Sequence, residues 1–225
     1  MKKFLFTILF FSAIAAHGQT NFYLEATGTP WGVGGTVSTW TSSGSAIVRP
    51  ALKTGYKQST TIATTTIAVD NSSATATTMF GQFISPALKA QTISGTVTGY
   101  ARMDIANATG ATVQSRVKIT VINRSGTVVA TLVALTAGAS NLTTTLTSYQ
   151  ILNAAAISSY SCAEGDRLCI EVGIGRSVGT TARNGDISFG SSSATDISAA
   201  GSTTANNPVI IFSGNITFLT GVPNL

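Results

Sequence analysis

Few residues of this 225-residue sequence could act as acids, bases or nucleophiles. The chain has only 8 Asp and Glu residues and 1 histidine. That histidine, His17, lies in a leader that we expect to be removed. Its loss would exclude Ser-His-Asp centres, Cys-His centres and histidine-ligated metals from the mature chain. The sequence therefore predicts a protein that is not an enzyme.

Paired carboxylates are the remaining route to hydrolysis, since glycosidases need only two Asp or Glu side chains. Glu164 and Asp166 flank Gly165 in a tight turn, where Asp and Gly are favoured for backbone reasons alone. Glu171 lies on an outward strand face, and nothing in the pattern holds two carboxylates at a defined separation. The stretch 173–179 has its last glycine one position too late for a dinucleotide fingerprint, and no helix pattern follows. We expect no organic cofactor.

Two loop aspartates, Asp186 and Asp196, are candidate calcium ligands. Hard oxygen ligands in loops suit this ion, as in many extracellular β-sandwiches. No D-x-D-x-D spacing supports the assignment, so solvated loop aspartates are the simpler interpretation.

Four aromatic residues could stack on sugar rings. Trp31 and Trp40 flank glycine- or serine-rich loops. Exposed, each would form a stacking platform, whereas a buried tryptophan is part of the core. Exposure of these two with Tyr100 or Tyr160 on one face would favour polysaccharide binding.

The two cysteines, Cys162 and Cys169, are expected to form a disulfide. An oxidising compartment and an even cysteine count favour the bond. If residues 164–167 form a hairpin loop, the two cysteines stand opposite each other at a bridgeable distance. The alternative is two free thiols, with Cys169 packed as a small apolar residue.

The first 18 residues have the pattern of a bacterial secretory signal. Lys2 and Lys3 precede an apolar run and then small residues, which predicts cleavage near Gln19 and a secreted protein. Removing both lysines leaves 11 of the 13 basic residues against 8 acidic ones, so the net charge falls from +5 to +3. The remaining basic residues are scattered, which argues against nucleic-acid binding. No segment predicts a membrane span.

Hydrophobic periodicity predicts an all-β fold. From Arg116 to Leu135, alternating residues, a turn at Asn123–Gly126 and a nearly continuous apolar run predict a β-hairpin whose second arm is buried on both faces. Strand signals recur every ten to fifteen residues or so, with turn chemistry between them. We predict an antiparallel β-sandwich of the jelly-roll type over residues 58–225, preceded by an irregular segment, 19–57, with short strands.

The chain resembles an uncharacterised group of β-sandwich proteins associated with phage and prophage structural genes and with bacterial surface proteins. The resemblance covers roughly residues 58–218 and rests on turns and strand starts, namely 82–86, 91–95, Gly165–Leu168 with Glu171 and Gly173, 189–190, 194–196 and 207–212. It implies a structural role and transfers no activity. The signal peptide and the cysteine pair depart from that group and favour an exported protein.

These features favour a non-enzymatic, exported structural or surface-display module, or a virion-like assembly subunit that self-associates or joins a larger particle. Only 9% of the residues are charged, so the surface loses little hydration when it is covered. A secreted carbohydrate-binding module that recognises polysaccharide is the alternative.

Overall fold

The computed structural model confirms the all-β fold. It describes residues 18–36, 38–53, 63–69, 75–107, 109–179, 181–190, 193 and 195–219. Apart from Gly18, the expected signal peptide lies outside these residues. Within them no α-helix is found, and hence none long and apolar enough to cross a membrane. The described strands are β1 Thr20–Leu24, β2 Ser42–Leu52, β3 Ala63–Val69, β4 Thr77–Ile84, β5 Gln91–Ile93, β6 Thr96–Ile105, β7 Ala111–Ile122, β8 Val128–Asn141, β9 Thr147–Ala156, β10 Tyr160–Cys162, β11 Arg167–Gly179, β12 Arg183–Phe189 and β13 Val209–Phe212.

Most of these strands belong to one large mixed sheet. Its order is β3-β12-β6-β13-β1-β2-β4-β11-β7-β8, with β9 also paired to β6. β5 and β10 form a separate two-stranded sheet. The β2–β4 pair is parallel, and the other ladders between described strands are antiparallel.

The large sheet curls so that its two halves share one hydrophobic core. Phe189 of β12 stacks on Phe80 of β4 at a centroid distance of 4.5 Å, and Phe83 lies 5.1 Å from the same ring. These strands are well separated in the strand order, so the contacts join opposite walls of the core. Apolar burial of this kind is the main stabilising contribution to such a fold. The jelly-roll topology stays a prediction.

The predicted hairpin at residues 116–135 is confirmed as β7 and β8. The Gly126 amide donates to the Asn123 carbonyl at 3.0 Å, and the Asn123 side chain accepts from the Ser125 and Thr127 amides. Gly126 has a φ of +80°, a conformation that favours glycine. The prediction that the second arm is buried on both faces was wrong. β8 ends the strand order and exposes many of its side chains, whereas β7 lies between β8 and β11.

The segment 19–57, expected to be irregular, contributes β1 and β2 to the large sheet. β1 pairs with both β13 and β2, and β2 continues the sheet to β4. β5 and β6 are separated at Gly95, whose φ is +100°. Glycine adopts this backbone conformation without the steric cost of a Cβ atom.

Candidate functional site

A row of three buried polar side chains crosses the outer face of the sheet. Gln82 on β4 is in register with Glu171 on β11, which is in register with Lys118 on β7. Their exposed fractions are 3%, 1% and 5%. Neighbouring residues on the same strands, including Phe83 and Ile170, belong to the hydrophobic core. Because side chains alternate along a strand, the polar row lies on the opposite face.

The segment formed by residues 30–36 and 38–41, here called the strap, covers this row. Trp40 Nε1 donates to Glu171 Oε2 at 2.9 Å. Gln82 Nε2 donates to Glu171 Oε1 at 2.7 Å and to the Gly35 carbonyl at 3.0 Å. Glu171 thus accepts a hydrogen bond at each carboxylate oxygen.

Lys118 supplies the positive charge of the row. Its Nζ atom lies 3.9 Å from Glu171 Oε2 and donates to Thr39 Oγ1 of the strap at 3.0 Å. Buried charges are tolerated when they are paired and hydrogen-bonded, as they are here. The arrangement fastens the strap to the sheet. It leaves Glu171 covered rather than open to a substrate.

The predicted calcium ligands lie on different elements. Asp196 accepts from Tyr23 Oη at 3.0 Å and from Asn207 Nδ2 at 2.9 Å. Asp186 accepts from Thr66 Oγ1 at 2.6 Å and pairs across the strands with Asp104. Among the described residues, no three His, Cys, Asp or Glu side chains form a group that could hold a metal. Calcium binding stays a prediction.

The Asp104 and Asp186 pair brings two carboxylates close on the sheet surface. Burial raises the pKa of Asp104, the charge of Asp186 raises it further, and a backbone hydrogen bond opposes the shift. The two residues lie on adjacent strands of one sheet, not on opposite walls of a cleft. This geometry does not match a glycosidase dyad, in which the scissile bond lies between the two groups.

The predicted stacking residues lie on three parts of the structure: Trp31 and Trp40 on the strap, Tyr100 on β6 and Tyr160 on β10. Trp40 is only 7% exposed and donates a hydrogen bond to the buried Glu171, so a sugar-stacking role does not fit it. Trp31 is half-buried against Ile84, Ile122 and Cys169, and its Nε1 atom has no hydrogen-bond partner among the described residues.

The two tyrosines are also half-buried. Tyr100 Oη on β6 accepts from Gln150 Nε2 at 3.4 Å, and Tyr160 on β10 packs against the core. Polysaccharide binding at Trp31, Tyr100 and Tyr160 stays a prediction.

The predicted disulfide is absent from the structure. Cys162 and Cys169 are both free thiols, and both are buried. The expected hairpin register was wrong. Cys162 pairs with Gln91 of β5, whereas Cys169 lies between Ile84 of β4 and Thr120 of β7. Burial raises the pKa of the Cys162 thiol to about 11 and that of Cys169 to about 12.

A long uncharged surface adjoins this part of the sheet. The sequence from Ser125 to Ala163 contains no Asp, Glu, Lys, Arg or His, and it includes β8 and β9. β8 and β9 adjoin, since the Ser158 amide, just after β9, donates to the Leu132 carbonyl at 3.0 Å. We call the exposed residues of β8 and β9 the uncharged surface. Val129, Thr131 and Ala134 are among them.

Sequence reasoning placed Glu171 on an outward face but missed the row to which it belongs. Gln82 interrupts an apolar run in β4, and that interruption was the available signal, whereas Lys118 is one of several polar residues on the alternating strand β7. Only the register between distant strands shows that the three side chains meet.

No protein-family model and no curated protein matches the chain. Among solved structures, it is similar to a CocE/NonD family hydrolase from Staphylococcus aureus, with 9% identity, a TM-score of 0.28 and coverage of 89% of this chain and 35% of that one.

Two structures of infectious bursal disease virus are also similar. The Gt strain structure has 13% identity, a TM-score of 0.22 and coverage of 70% of this chain and 37% of that one. The VP2 subviral particle has 12% identity, a TM-score of 0.18 and coverage of 67% and 39%. The chain thus spans less than two fifths of each of these three structures, and scores this low identify neither a family nor a function.

Proposed function

We propose that this protein is a non-enzymatic, exported structural module that associates with copies of itself or with a larger assembly. The observation that carries the proposal is the uncharged surface on β8 and β9. Covering it requires no charged group to lose its hydration, which removes the largest polar cost of burial.

The position of β8 strengthens this interpretation. β8 ends the strand order and forms a ladder only with β7 among the described strands. Natural proteins often protect such edge strands with lysine or other charges, which oppose edge-to-edge pairing. β8 has none over its 14 residues. An edge of this composition suits lateral packing.

Three of the described carboxylates also fit a structural role. Glu171 fastens the strap, and Asp196 joins β1 to the loop that precedes β13 through Tyr23 and Asn207. The Asp166 side chain accepts from the Ala163 amide at 2.9 Å within the β10–β11 turn. Each makes contacts that hold the fold together.

The test places lysines on the uncharged surface. The double variant Thr131→Lys, Ala134→Lys should shift the protein from oligomer to monomer in analytical ultracentrifugation, because like charges would meet at the interface. The matched control is Ser94→Lys, Thr204→Lys, which adds the same charge at exposed positions elsewhere and should leave the distribution unchanged.

A wild-type protein that stays monomeric at high concentration, without a larger particle in its native source, would contradict the proposal. Equal dissociation of both double variants would contradict the assignment of the interface to β8. A monomer that binds neutral polysaccharide, and loses that binding in Trp31→Ala, would favour the carbohydrate-binding alternative.

A further inference from the structure

A groove of about 440 Å³ lies where the strap meets the β7–β8 and β10–β11 turns. Arg124 of the first turn, Glu164 of the second turn and Arg167 at the start of β11 supply its charged groups. Pro30, Val33 and Leu219 are among its apolar lining. Its lining includes none of the three side chains of the buried polar row, Gln82, Glu171 and Lys118.

The backbone holds both arginines in place. Arg167 Nη1 donates to the Ser85 carbonyl at 3.1 Å, and Arg124 Nη2 lies 3.5 Å from the Glu164 carbonyl. The Arg124 guanidinium passes over Gly165, where a Cβ atom would collide with it, and Gly165 also has a φ of +91°. Glycine at this position therefore makes room for the guanidinium.

The two positive charges are near enough to oppose each other. Burial lowers the pKa of Arg167, and the charge of Arg124 lowers it further. Within the described ranges, neither guanidinium forms an ion pair with a carboxylate. The two guanidinium groups outnumber the single carboxylate of Glu164 in the lining, so the groove has an excess of positive charge.

We propose that this groove binds the C-terminal carboxylate of a peptide segment from a partner protein. Arginine donates in a planar fork that matches a carboxylate, and a bound carboxylate would relieve the repulsion between Arg124 and Arg167. The aliphatic part of the peptide would lie against Val33, which is 53% exposed, and Leu219. These apolar walls suit an aliphatic side chain better than sugar hydroxyls, which need hydrogen-bond partners. The inference does not depend on the assembly role.

The probe is the dipeptide N-acetyl-Leu-Leu with a free carboxylate, titrated into ¹⁵N-labelled protein and followed by NMR. Saturable shifts are expected at the Gly32 and Gly165 amides, which line the groove. The C-terminal amide of the same peptide should bind at least about fivefold more weakly, because it lacks the charge-assisted hydrogen bonds.

Arg124→Gln should weaken binding of the free carboxylate by about tenfold, and its exposed position makes misfolding a minor concern. The matched control is Arg183→Gln. Arg183 lies near Gly110, which precedes β7, whereas Arg124 follows the other end of that strand. The control removes the same charge and should leave binding unchanged.

Equal binding of the carboxylate and amide peptides would overturn the proposal, as would unchanged binding in Arg124→Gln. Binding of galacturonic acid oligomers in the groove, together with no binding of the peptide, would overturn the peptide assignment. A monomeric wild type would contradict the assembly role yet leave this titration interpretable, so the two failures are distinguishable.

Discussion

The Glu171 carboxylate is the buried charge on which the strap depends. It accepts from Trp40 on the strap and from Gln82 on the sheet, and Lys118 balances its charge. A buried ion pair of this kind contributes little net stability compared with apolar residues, but removing one partner leaves a buried charge uncompensated. The structural value of Glu171 therefore becomes measurable when it is replaced.

Glu171→Gln should lower the free energy of unfolding by about 3–5 kcal/mol. The ammonium of Lys118 would lose its counter-charge, and the new amide nitrogen would face the donors of Trp40 or Gln82. Urea denaturation followed by circular dichroism gives the value.

Glu164→Gln is the matched control, since Glu164 is exposed and should change stability by less than about 0.5 kcal/mol. The double variant Glu171→Gln, Lys118→Met should recover part of the loss, because no unpaired charge remains. A loss below about 1 kcal/mol in Glu171→Gln would contradict the structural role of this carboxylate.

At the scale of elements, β6 and β12 bring two like charges together. Asp104 and Asp186 are directly opposite partners, and only Asp186 receives the Thr66 hydroxyl. Like charges opposite each other in a sheet are destabilising by a few tenths of a kcal/mol to about 1 kcal/mol. This pair is a local cost that the fold tolerates.

Asp104→Asn should raise the free energy of unfolding at pH 7 by about 0.5 kcal/mol. Burial and Asp186 raise the pKa of Asp104 in the folded state. Folding therefore favours the protonated form of Asp104. The stability that this form contributes is present at acidic pH and is lost as the pH rises through the raised pKa of folded Asp104. Thermal denaturation at pH 3.5 and pH 7 should show the gain only at pH 7, and a destabilised variant at pH 7 would refute it.

The elements differ in how well local sequence predicts them. The β7–β8 hairpin was predictable because Asn123 and Gly126 encode its turn within a few residues. The exposure of β8 could not be predicted in this way. Its apolar run has the composition of a central strand, although β8 lies at the end of the strand order. Short apolar runs specify a strand without specifying its neighbours.

Pairings between distant strands had no local signal. The parallel β2–β4 ladder and the row through Gln82, Glu171 and Lys118 depend on register across separate parts of the chain. The cysteine prediction failed for the same reason. The short turn between β10 and β11 suggested that these two strands pair with each other, whereas β10 pairs with β5 and β11 pairs with β7.

For the whole molecule, the two buried thiols provide a measure of global unfolding. Folded protein at pH 8 should react with Ellman's reagent only as it unfolds, because the pKa values of about 11 and about 12 keep both thiols protonated and burial blocks access. Reaction followed with and without urea tests this. Rapid reaction without urea, or an intact mass lacking two hydrogens, would contradict it.

The same thiols should make the fold less stable in alkali. The pKa values of both thiols in the folded protein exceed the value of about 8.5 in the unfolded chain. Their contribution to the free energy of unfolding is therefore complete below about pH 8.5 and is lost as the pH rises towards 11–12. Cys169→Ala should flatten this decline between pH 8.5 and 10.5, as measured by urea denaturation. An unchanged slope would contradict the assignment.

The pairing of β1 with β13 has a consequence for how the chain folds. β1 forms four residue pairs with β13 and only two with β2, and Thr20 Oγ1 accepts from the Ile216 amide, 196 residues further along the chain. Contacts this distant in sequence require a large loop to close before they contribute energy, which slows folding. During synthesis, β1 therefore cannot complete its pairing until Val209–Phe212 has emerged from the ribosome.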